Sequence, residues 1–160
     1  MTRSWCRMHK AGVEAVVDLP LSVDRAWRHL QDFHAFATSD VFHRRVIVHA
    51  DRVREGAPLT IEHDWLGIRI SRQGHILQWR PRVGYTFSDI SRRGPRWGFP
   101  HVFSYTLERS DDWHSRLRIS IRGRWTMTWL PNWLIHLWLR WVMAKVKHTV
   151  EIRLLRRELR

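Results

Sequence analysis

The sequence predicts an α+β fold in which an antiparallel sheet of about seven strands is covered by one long C-terminal helix. Two observations carry this prediction. From Leu117 to Trp125, apolar and polar residues alternate strictly, which is typical of a strand with one buried and one solvent-facing side. Near the C-terminus an apolar stripe recurs at helical spacing: Leu139, Val142, Met143, Val146 and Val150.

The chain is predicted to open with a strand followed by two short helices. Residues 13–19 are rich in β-branched side chains. Ser22 fits a helix N-cap, and Asp24 in the first turn complements the positive end of the helix dipole. Apolar residues at i, i+3, i+4 and i+7 extend this helix to Leu30. Residues 33–39 are expected to form the second helix.

Six more strands are expected before the final helix, because β-rich runs alternate with turn residues. Their predicted ranges are 45–50, 59–65, 68–79, 85–90, 101–107 and 116–125. Pro131 and Asn132 open the last helix, which is expected to reach about Leu159 and to measure roughly 40 Å. The predicted order is therefore β–α–α–β6–α.

Length and composition indicate one globular domain. The chain has 160 residues, 44% of them apolar, and eleven tryptophans that supply core material. We expect residues 1–12 to form an N-terminal arm and residues 13–160 to form the domain. Cys6 is the sole cysteine, which excludes an internal disulfide and a cysteine-based zinc site. With no signal peptide and no apolar run long enough for a membrane span, a cytoplasmic protein is expected.

The order of elements and three passages resemble the START-like superfamily, also called SRPBCC, whose fold is the helix grip. Residues 13–30 resemble its opening strand, proline, and Ser-capped helix with a central Trp. Residues 54–59 resemble its Gly-containing approach to the third strand. Residues 66–81 and Arg93-Gly94-Pro95 resemble a bacterial ligand-binding branch. The resemblance spans residues 12–158.

The resemblance implies a curved sheet wrapped around the C-terminal helix, with a cavity between them that binds a hydrophobic small molecule. The superfamily contains birch-pollen-allergen-like proteins, polyketide cyclases and lipid-transfer domains. Physical reasoning favours the same arrangement, because a sheet with one apolar face needs a cover and only one later element is long enough. We therefore expect the ligand to be of lipid, polyketide, quinone or aromatic type.

Strand parity selects the side chains that face this cavity. If Leu59 and Ile61 point inward, His63 and Trp65 do so too. Extending the parity and adding helix residues gives these candidate cavity residues: Trp27, Ile61, His63, Trp65, Tyr85, Phe87, Asp89, His101, Phe103, Tyr105, Ile121, Trp125, Trp138 and Val142. Apolar walls with a few polar groups suit a small-molecule pocket. The alternative is that each polar tip only satisfies a backbone group.

Catalytic and metal-binding motifs are missing from the sequence. It contains no His-Glu-x-x-His helix, no phosphate-binding loop, no nucleophile elbow and no dinucleotide-binding pattern. Strand alternation splits Glu62-His63-Asp64 between two faces. No metal and no cofactor is therefore expected, and a carrier or sensor is the preferred hypothesis. The alternative is a cyclase, dehydratase or aromatase that uses His63, His101, Tyr85 or Asp89 as its acid–base group.

The positive net charge is compatible with a third class of function, namely binding to an anionic partner. The net charge of +13 is compatible with binding to nucleic acid or to an acidic membrane surface. A basic row on the last strand favours nucleic acid, although a solvated strand face is the other interpretation: Arg116, Arg118, Arg122 and Arg124. The wide apolar arc of the final helix has three explanations, namely enclosure by the sheet and short helices, a homodimer contact, or a membrane surface.

Overall fold

The computed structural model describes residues 9–65, 67–90, 98–127 and 129–158. The predictions made for Cys6, Leu66, Leu159 and the Arg93–Pro95 passage lie outside these ranges, as does most of the expected N-terminal arm. The side chain of Trp65 also lies outside the described part.

The predicted order of elements is confirmed, with seven strands and three helices in the described part of the chain. The elements are β1 (His9–Leu19), α1 (Val23–Leu30), α2 (Phe33–Ala37), β2 (His43–Val48), β3 (Pro58–Trp65), β4 (Ile68–Arg80), β5 (Gly84–Ser88), β6 (His101–Arg109), β7 (Ser115–Trp125) and α3 (Asn132–Glu158). The strands form one antiparallel sheet in the order β1-β7-β6-β5-β4-β3-β2, so that β1 and β2 are its edges.

Two strands begin earlier than the residue pattern indicates. β1 starts at His9 rather than at residue 13, because its ladder with β7 extends from Leu19–Ser115 to His9–Trp125. β2 starts at His43 rather than at residue 45, and a register shift separates the His43–His63 pair from the Arg45–Glu62 pair. Hydrogen bonding across the sheet therefore lengthens both strands beyond their apolar cores.

Side-chain caps define where the first two helices begin. Ser22 accepts a hydrogen bond from the backbone N–H of Arg25 at 3.5 Å, as its N-cap position predicts. Asp32 caps α2 in the same way by accepting from the N–H of Ala35 at 3.3 Å. Together α1 and α2 close one end of the sheet with buried aromatic and aliphatic side chains.

The core lies between the inner face of the sheet and α3. Val146, Val150 and Leu154 are fully buried on the stripe that α3 turns toward the sheet, and α3 packs mainly along β1. The inner face of β5 and β6 supplies the opposite wall, where the rings of Phe87 and Phe103 stack at 5.4 Å. Within the described residues, no helix is long and apolar enough to cross a membrane.

The N-terminal half of α3 is not enclosed on all sides, so the first of the three explanations for its wide apolar arc is wrong. Ile135, Leu139 and Val142 are buried against the sheet. Trp133 is 67% exposed and Leu137 is 58% exposed, because none of the strands and short helices in the described part of the chain covers their side of α3.

Candidate functional site

Buried polar side chains gather at one end of the interior. We call this group the histidine end, and it consists of His43, His63, Arg72, Asp89 and His101. Each of these residues is less than 7% exposed, which is rare for charged and imidazole side chains without a specific reason. The members come from four different strands and from the residue that follows β5, so the folded sheet is what brings them together.

An ion pair anchors the histidine end. Arg72 Nη1 donates to Asp89 Oδ2 at 2.6 Å, and both side chains are almost completely buried. The other carboxylate oxygen, Asp89 Oδ1, accepts from the backbone N–H of His101 at 2.6 Å. Removing either partner would leave a charge in the protein interior, and therefore the two residues stabilise the fold only as a pair.

Backbone carbonyls fix two of the three imidazole rings. His43 Nδ1 lies 2.8 Å from the carbonyl oxygen of Ala37, and His101 Nδ1 lies 2.8 Å from that of Phe99. A carbonyl only accepts, so each Nδ1 carries the proton in the neutral ring and each Nε2 carries a lone pair. Among the described residues, the Nε2 atoms of His43 and His101 have no hydrogen-bond partner in the protein, whereas His63 Nε2 lies 3.4 Å from Asp89 Oδ2.

Burial and charge set the protonation states at this end. Burial lowers the pKa of His43 to about 4, although Asp40 opposes the shift. Burial also lowers the pKa of His63, with the contact to Asp89 opposing it. Burial by itself would raise the pKa of Asp89, but His101, His63 and Arg72 outweigh it and hold that pKa below its ordinary range. The site at neutral pH therefore combines neutral imidazoles at His43 and His63 with an ionised carboxylate.

A small cavity separates the histidines from α3. Ten residues line it: Asp40, Phe42, His43, His63, Phe99, His101, Ile121, Trp138, Leu139 and Val142. Its volume is about 10 Å³, which is about the space that one water molecule needs. The wall is apolar on the α3 side and polar on the sheet side, so the cavity presents both a hydrophobic surface and hydrogen-bonding atoms.

Two glycines allow the backbone to pack closely around Arg72. At Gly74 an added Cβ would lie 1.6 Å from the carbonyl oxygen of Ser88, so β4 can approach the end of β5 only with glycine there. Gly98 has a φ of +88°, and an added Cβ would lie 3.0 Å from Arg72 Nη2. Glycine at both positions therefore allows the backbone to lie close to the buried ion pair.

The opposite end of the interior, which we call the aromatic end, contains Trp27, Phe33, Trp79, Tyr85 and Tyr105. Phe33 contacts Trp79 and Tyr85 edge-on, and Trp27 packs against Trp79 at 5.4 Å. Tyr105 donates its hydroxyl to the carbonyl oxygen of Phe36 at 2.8 Å. This end is a packed core in which the hydroxyl of Tyr105 satisfies a backbone group, the second of the two roles considered for it.

The structure divides the predicted cavity residues between these regions. Five of them line the cavity: His63, His101, Ile121, Trp138 and Val142. Five lie directly behind its wall or beside it in the core: Ile61, Phe87, Asp89, Phe103 and Trp125. Three lie at the aromatic end and do not line the cavity: Trp27, Tyr85 and Tyr105.

Sequence reasoning missed His43, Arg72 and Asp40. The register shift in β2 places His43 inward three residues before the buried Val46, which breaks the two-residue period. Arg72 does follow the inward parity of Ile70 and Ile76, so alternation along β4 was a signal that could have found it. Asp40 lies in the connection after α2, where no periodic pattern applies.

The outer face of the sheet weakens the case for nucleic acid. Arg116 pairs with Asp18 at 2.9 Å, and Arg118 pairs with Glu14 and Glu108. Half of the basic row is therefore neutralised by carboxylates on the neighbouring strands β1 and β6. A surface groove of about 620 Å³ lies beside Lys10, Arg122 and Arg124. None of the residues that line this groove belongs to the histidine end.

Comparison with solved structures supports the fold independently. A START superfamily protein from Mycobacterium smegmatis superposes with a TM-score of 0.69 at 11% identity, over 91% of this chain and 97% of that one. The ZhuI aromatase/cyclase from Streptomyces sp. R1128 gives 0.66 at 15% identity, over 94% of both chains. Ara h 8.0201 gives 0.64 at 12% identity, over 92% of this chain and 99% of that one.

These matches show that the chain has the START-like, helix-grip fold that its sequence resembles. No protein-family model matches the sequence, and no curated protein matches it significantly. At such low identity, the likeness concerns the fold, and the function has to be argued from the site.

Proposed function

We propose that this protein binds a hydrophobic small molecule between the sheet and α3 at the histidine end, as a carrier or sensor. The observation that carries the proposal is the two-sided cavity, in which side chains of α3 face three imidazoles. An apolar ligand with one hydroxyl group would bury its body against Trp138 and Val142. Its hydroxyl would donate a hydrogen bond to the Nε2 lone pair of His43 or His101, which lacks a partner in the described part of the protein.

Ligand binding requires the cavity to open, because its present volume suits only a single water. Phe42 is placed to act as the gate of the cavity. It is half-buried, lines the cavity, and packs its ring against Trp138 at 5.6 Å and Trp141 at 6.4 Å. Rotation of Phe42 and Trp138 away from each other would join the cavity to the surface beside the N-terminal half of α3.

A matched pair of substitutions on α3 tests this proposal with Nile red, a neutral hydrophobic dye, as the probe. Val142→Phe fills the cavity from its α3 wall, whereas Leu137→Phe adds a ring on the exposed side of the same helix. We expect the wild type and Leu137→Phe to bind the dye equally and Val142→Phe to bind it at least tenfold more weakly. Equal affinity in all three proteins would contradict the proposal.

Val142→Phe overfills a packed core and is expected to cost about 1–3 kcal/mol of stability. Native mass spectrometry of the freshly purified proteins therefore provides a second measurement on folded molecules. A bound organic mass should accompany the wild type and Leu137→Phe and be absent from folded Val142→Phe. The same bound mass on all three would place the ligand elsewhere.

A cyclase-type enzyme is a second candidate, favoured by the ionised Asp89 carboxylate beside His63 and His101. Such a site holds groups that accept and donate protons in a water-poor interior. The compounds extracted from wild type and from His63→Gln distinguish the two functions. A carrier should yield the same compound from both, whereas an enzyme should yield product from the wild type and unreacted substrate from the variant. His114→Gln, at an exposed histidine, is the control.

Binding to an acidic membrane surface is a third candidate, favoured by the exposed apolar side of α3. Trp133, Leu137 and Trp141 follow one another at four-residue spacing, and Arg140 and Lys145 are exposed beside them. Tryptophan and basic residues together are typical of helices that lie on anionic bilayers.

Cosedimentation with vesicles tests the membrane candidate. The wild type should bind phosphatidylcholine vesicles only when phosphatidylglycerol is included, and added salt should weaken the binding. Trp133→Ser should lose it, while Trp113→Ser, at an exposed tryptophan in the turn before β7, should not. If the wild type instead forms a dimer that Trp133→Ser abolishes, this surface is a contact with a second copy of the chain.

A further inference from the structure

We propose that Asp40, His43 and His101 bind a divalent transition-metal ion at the sheet side of the cavity. Each of these residues is buried and offers one ligand atom, and the three atoms lie within 4.8 Å of one another. Two imidazole nitrogens and one carboxylate oxygen form a donor set that suits zinc or ferrous iron. Calcium and magnesium are disfavoured, because they prefer oxygen ligands alone.

The hydrogen bonds of the two histidines orient them as metal ligands. His43 and His101 each direct Nδ1 to a backbone carbonyl at 2.8 Å, which leaves Nε2 as the nitrogen with a free lone pair. Most metal-binding histidines donate their second ring N–H to a carboxylate, a backbone carbonyl or a water, and this contact fixes the tautomer. Neither Nε2 atom finds a partner among the described residues, although both are buried.

The carboxylate is held in a comparable way. The backbone N–H of Phe42 donates to Asp40 Oδ1 at 2.8 Å, and Asp40 is only 6% exposed. The backbone N–H of His43 donates to the carbonyl oxygen of Asp40 at 3.1 Å, so that Asp40 and His43 belong to one tight turn. A single short segment between α2 and β2 therefore provides two of the three ligands.

The ligand atoms have to come closer together to hold an ion. Ligand atoms about 2.1 Å from a tetrahedral metal are about 3.4 Å apart, so a separation of up to 4.8 Å has to shorten by up to about 1.4 Å. The turn that contains Asp40 and His43 can move as a unit toward His101. The rings of His43 and His101 are stacked at 14° with centroids 5.3 Å apart, so one ring also has to rotate before both Nε2 lone pairs point at the same ion.

Three protein ligands would leave part of the coordination sphere facing the cavity. The space there, about 10 Å³, is about that of one water molecule, and His63 borders it with its ring 4.9 Å from that of His43. A site of this kind is open rather than closed, which is the pattern of metal centres that exchange a water or a ligand. The inference does not depend on the ligand proposed above, since it rests on the donor atoms alone.

Cobalt titration of the full chain tests the site, because Co²⁺ substitutes for Zn²⁺ and absorbs visible light when it is bound by nitrogen and oxygen in a low-coordinate site. We expect the wild type to bind one Co²⁺, and Zn²⁺ to displace it. His43→Asn keeps a donor for the carbonyl of Ala37 but lacks Nε2, and Asp40→Asn keeps an acceptor for the N–H of Phe42. Each variant should lose at least tenfold in affinity.

His114→Asn is the control, because His114 and Asp111 form an exposed His–carboxylate pair that is separate from the cavity. It should bind Co²⁺ like the wild type. Circular dichroism should verify that each variant is folded. If His43→Asn does not fold, the Co²⁺ affinity of Asp40→Asn provides the test. The proposal is overturned if folded Asp40→Asn binds Co²⁺ as tightly as the wild type, or if the wild type shows no visible band with excess Co²⁺.

Discussion

The interior of this protein is packed differently at its two ends. At the aromatic end, edge-on and stacked rings fill the space between α1, α2 and the sheet, and the hydroxyl of Tyr105 is bonded to the backbone. At the histidine end, three imidazoles line a cavity and a buried ion pair lies close to them, and the Nε2 atoms of His43 and His101 have no protein partner in the described residues.

We interpret this difference as a division of roles, in which the aromatic end stabilises the fold and the histidine end provides the groups for binding. Aromatic packing is favourable by itself, because it buries a large apolar area with little unmet hydrogen bonding. Buried ions and unbonded nitrogens are costly unless something else satisfies them. A protein that keeps such groups next to a cavity is expected to use them, and the aromatic end provides the stability that the histidine end lacks.

The largest expected effect comes from breaking the buried ion pair. Arg72→Leu would leave the Asp89 carboxylate in the interior without its guanidinium, and we expect a loss of about 3–5 kcal/mol in the free energy of unfolding. Arg116→Leu removes a partly exposed partner of Asp18 from the outer face, and it should cost less than about 1 kcal/mol. Urea denaturation measures both. Equal costs would mean that the histidine end is not specially dependent on this pair.

Acid should destabilise the protein through the histidine end. His43 has a pKa of about 4 when folded and 6.5 when unfolded, so the unfolded state takes up the proton more readily as the pH falls. The stability from the neutral ring is complete above pH 6.5 and is lost between pH 6.5 and 4, by up to about 3 kcal/mol. Burial of His63 acts in the same direction.

Denaturant midpoints measured in EDTA across this pH range test the expectation, with the chelator removing any contribution from bound metal. The slope of stability against pH should be shallower in His43→Asn than in the wild type. An unchanged slope would show that other groups cause the loss. His63 lies beside the His43 ring and burial lowers its pKa as well, so a residual slope from His63 is expected.

The smallest expected effects distinguish two tyrosines within the aromatic end. Tyr105→Phe removes the hydroxyl that donates to the carbonyl oxygen of Phe36, and it should cost about 1 kcal/mol. The Tyr85 hydroxyl is buried without a hydrogen-bond partner in the described structure, so Tyr85→Phe should be neutral or slightly stabilising. Thermal unfolding can resolve this difference. A larger loss from Tyr85→Phe would reveal that its hydroxyl has a partner.

Sequence patterns predict most of the fold, because strands and helices produce periodic patterns of apolar residues. Alternation in β7 and the apolar stripe of α3 identify the sheet and its cover, and Ser22 marks the start of α1. Parity along β3, β5 and β6 also identifies the inward direction of His63, Asp89 and His101, all of which are buried.

The composition of the site is predictable only in part, because its remaining members depend on irregular backbone. A register shift turns His43 inward, and Asp40 is held by a turn that has no periodic signature. The absence of a metal was expected from linear motifs, yet Asp40, His43 and His101 are neighbours in space rather than a recognisable spacing in sequence. Parity also assigns Tyr85 and Tyr105 to the cavity, because it gives the face of the sheet but not the position along it.

A hydrophobic molecule is expected to bind at the histidine end rather than at the aromatic end. NMR of protein labelled with ¹⁵N at histidine and tryptophan tests it directly during titration with Nile red. We expect the ring signals of His43, His63 and His101 and the indole signal of Trp138 to shift, while the signals of Trp27 and exposed His114 do not. A shift of the Trp27 signal with unmoved histidine signals would instead place the ligand at the aromatic end.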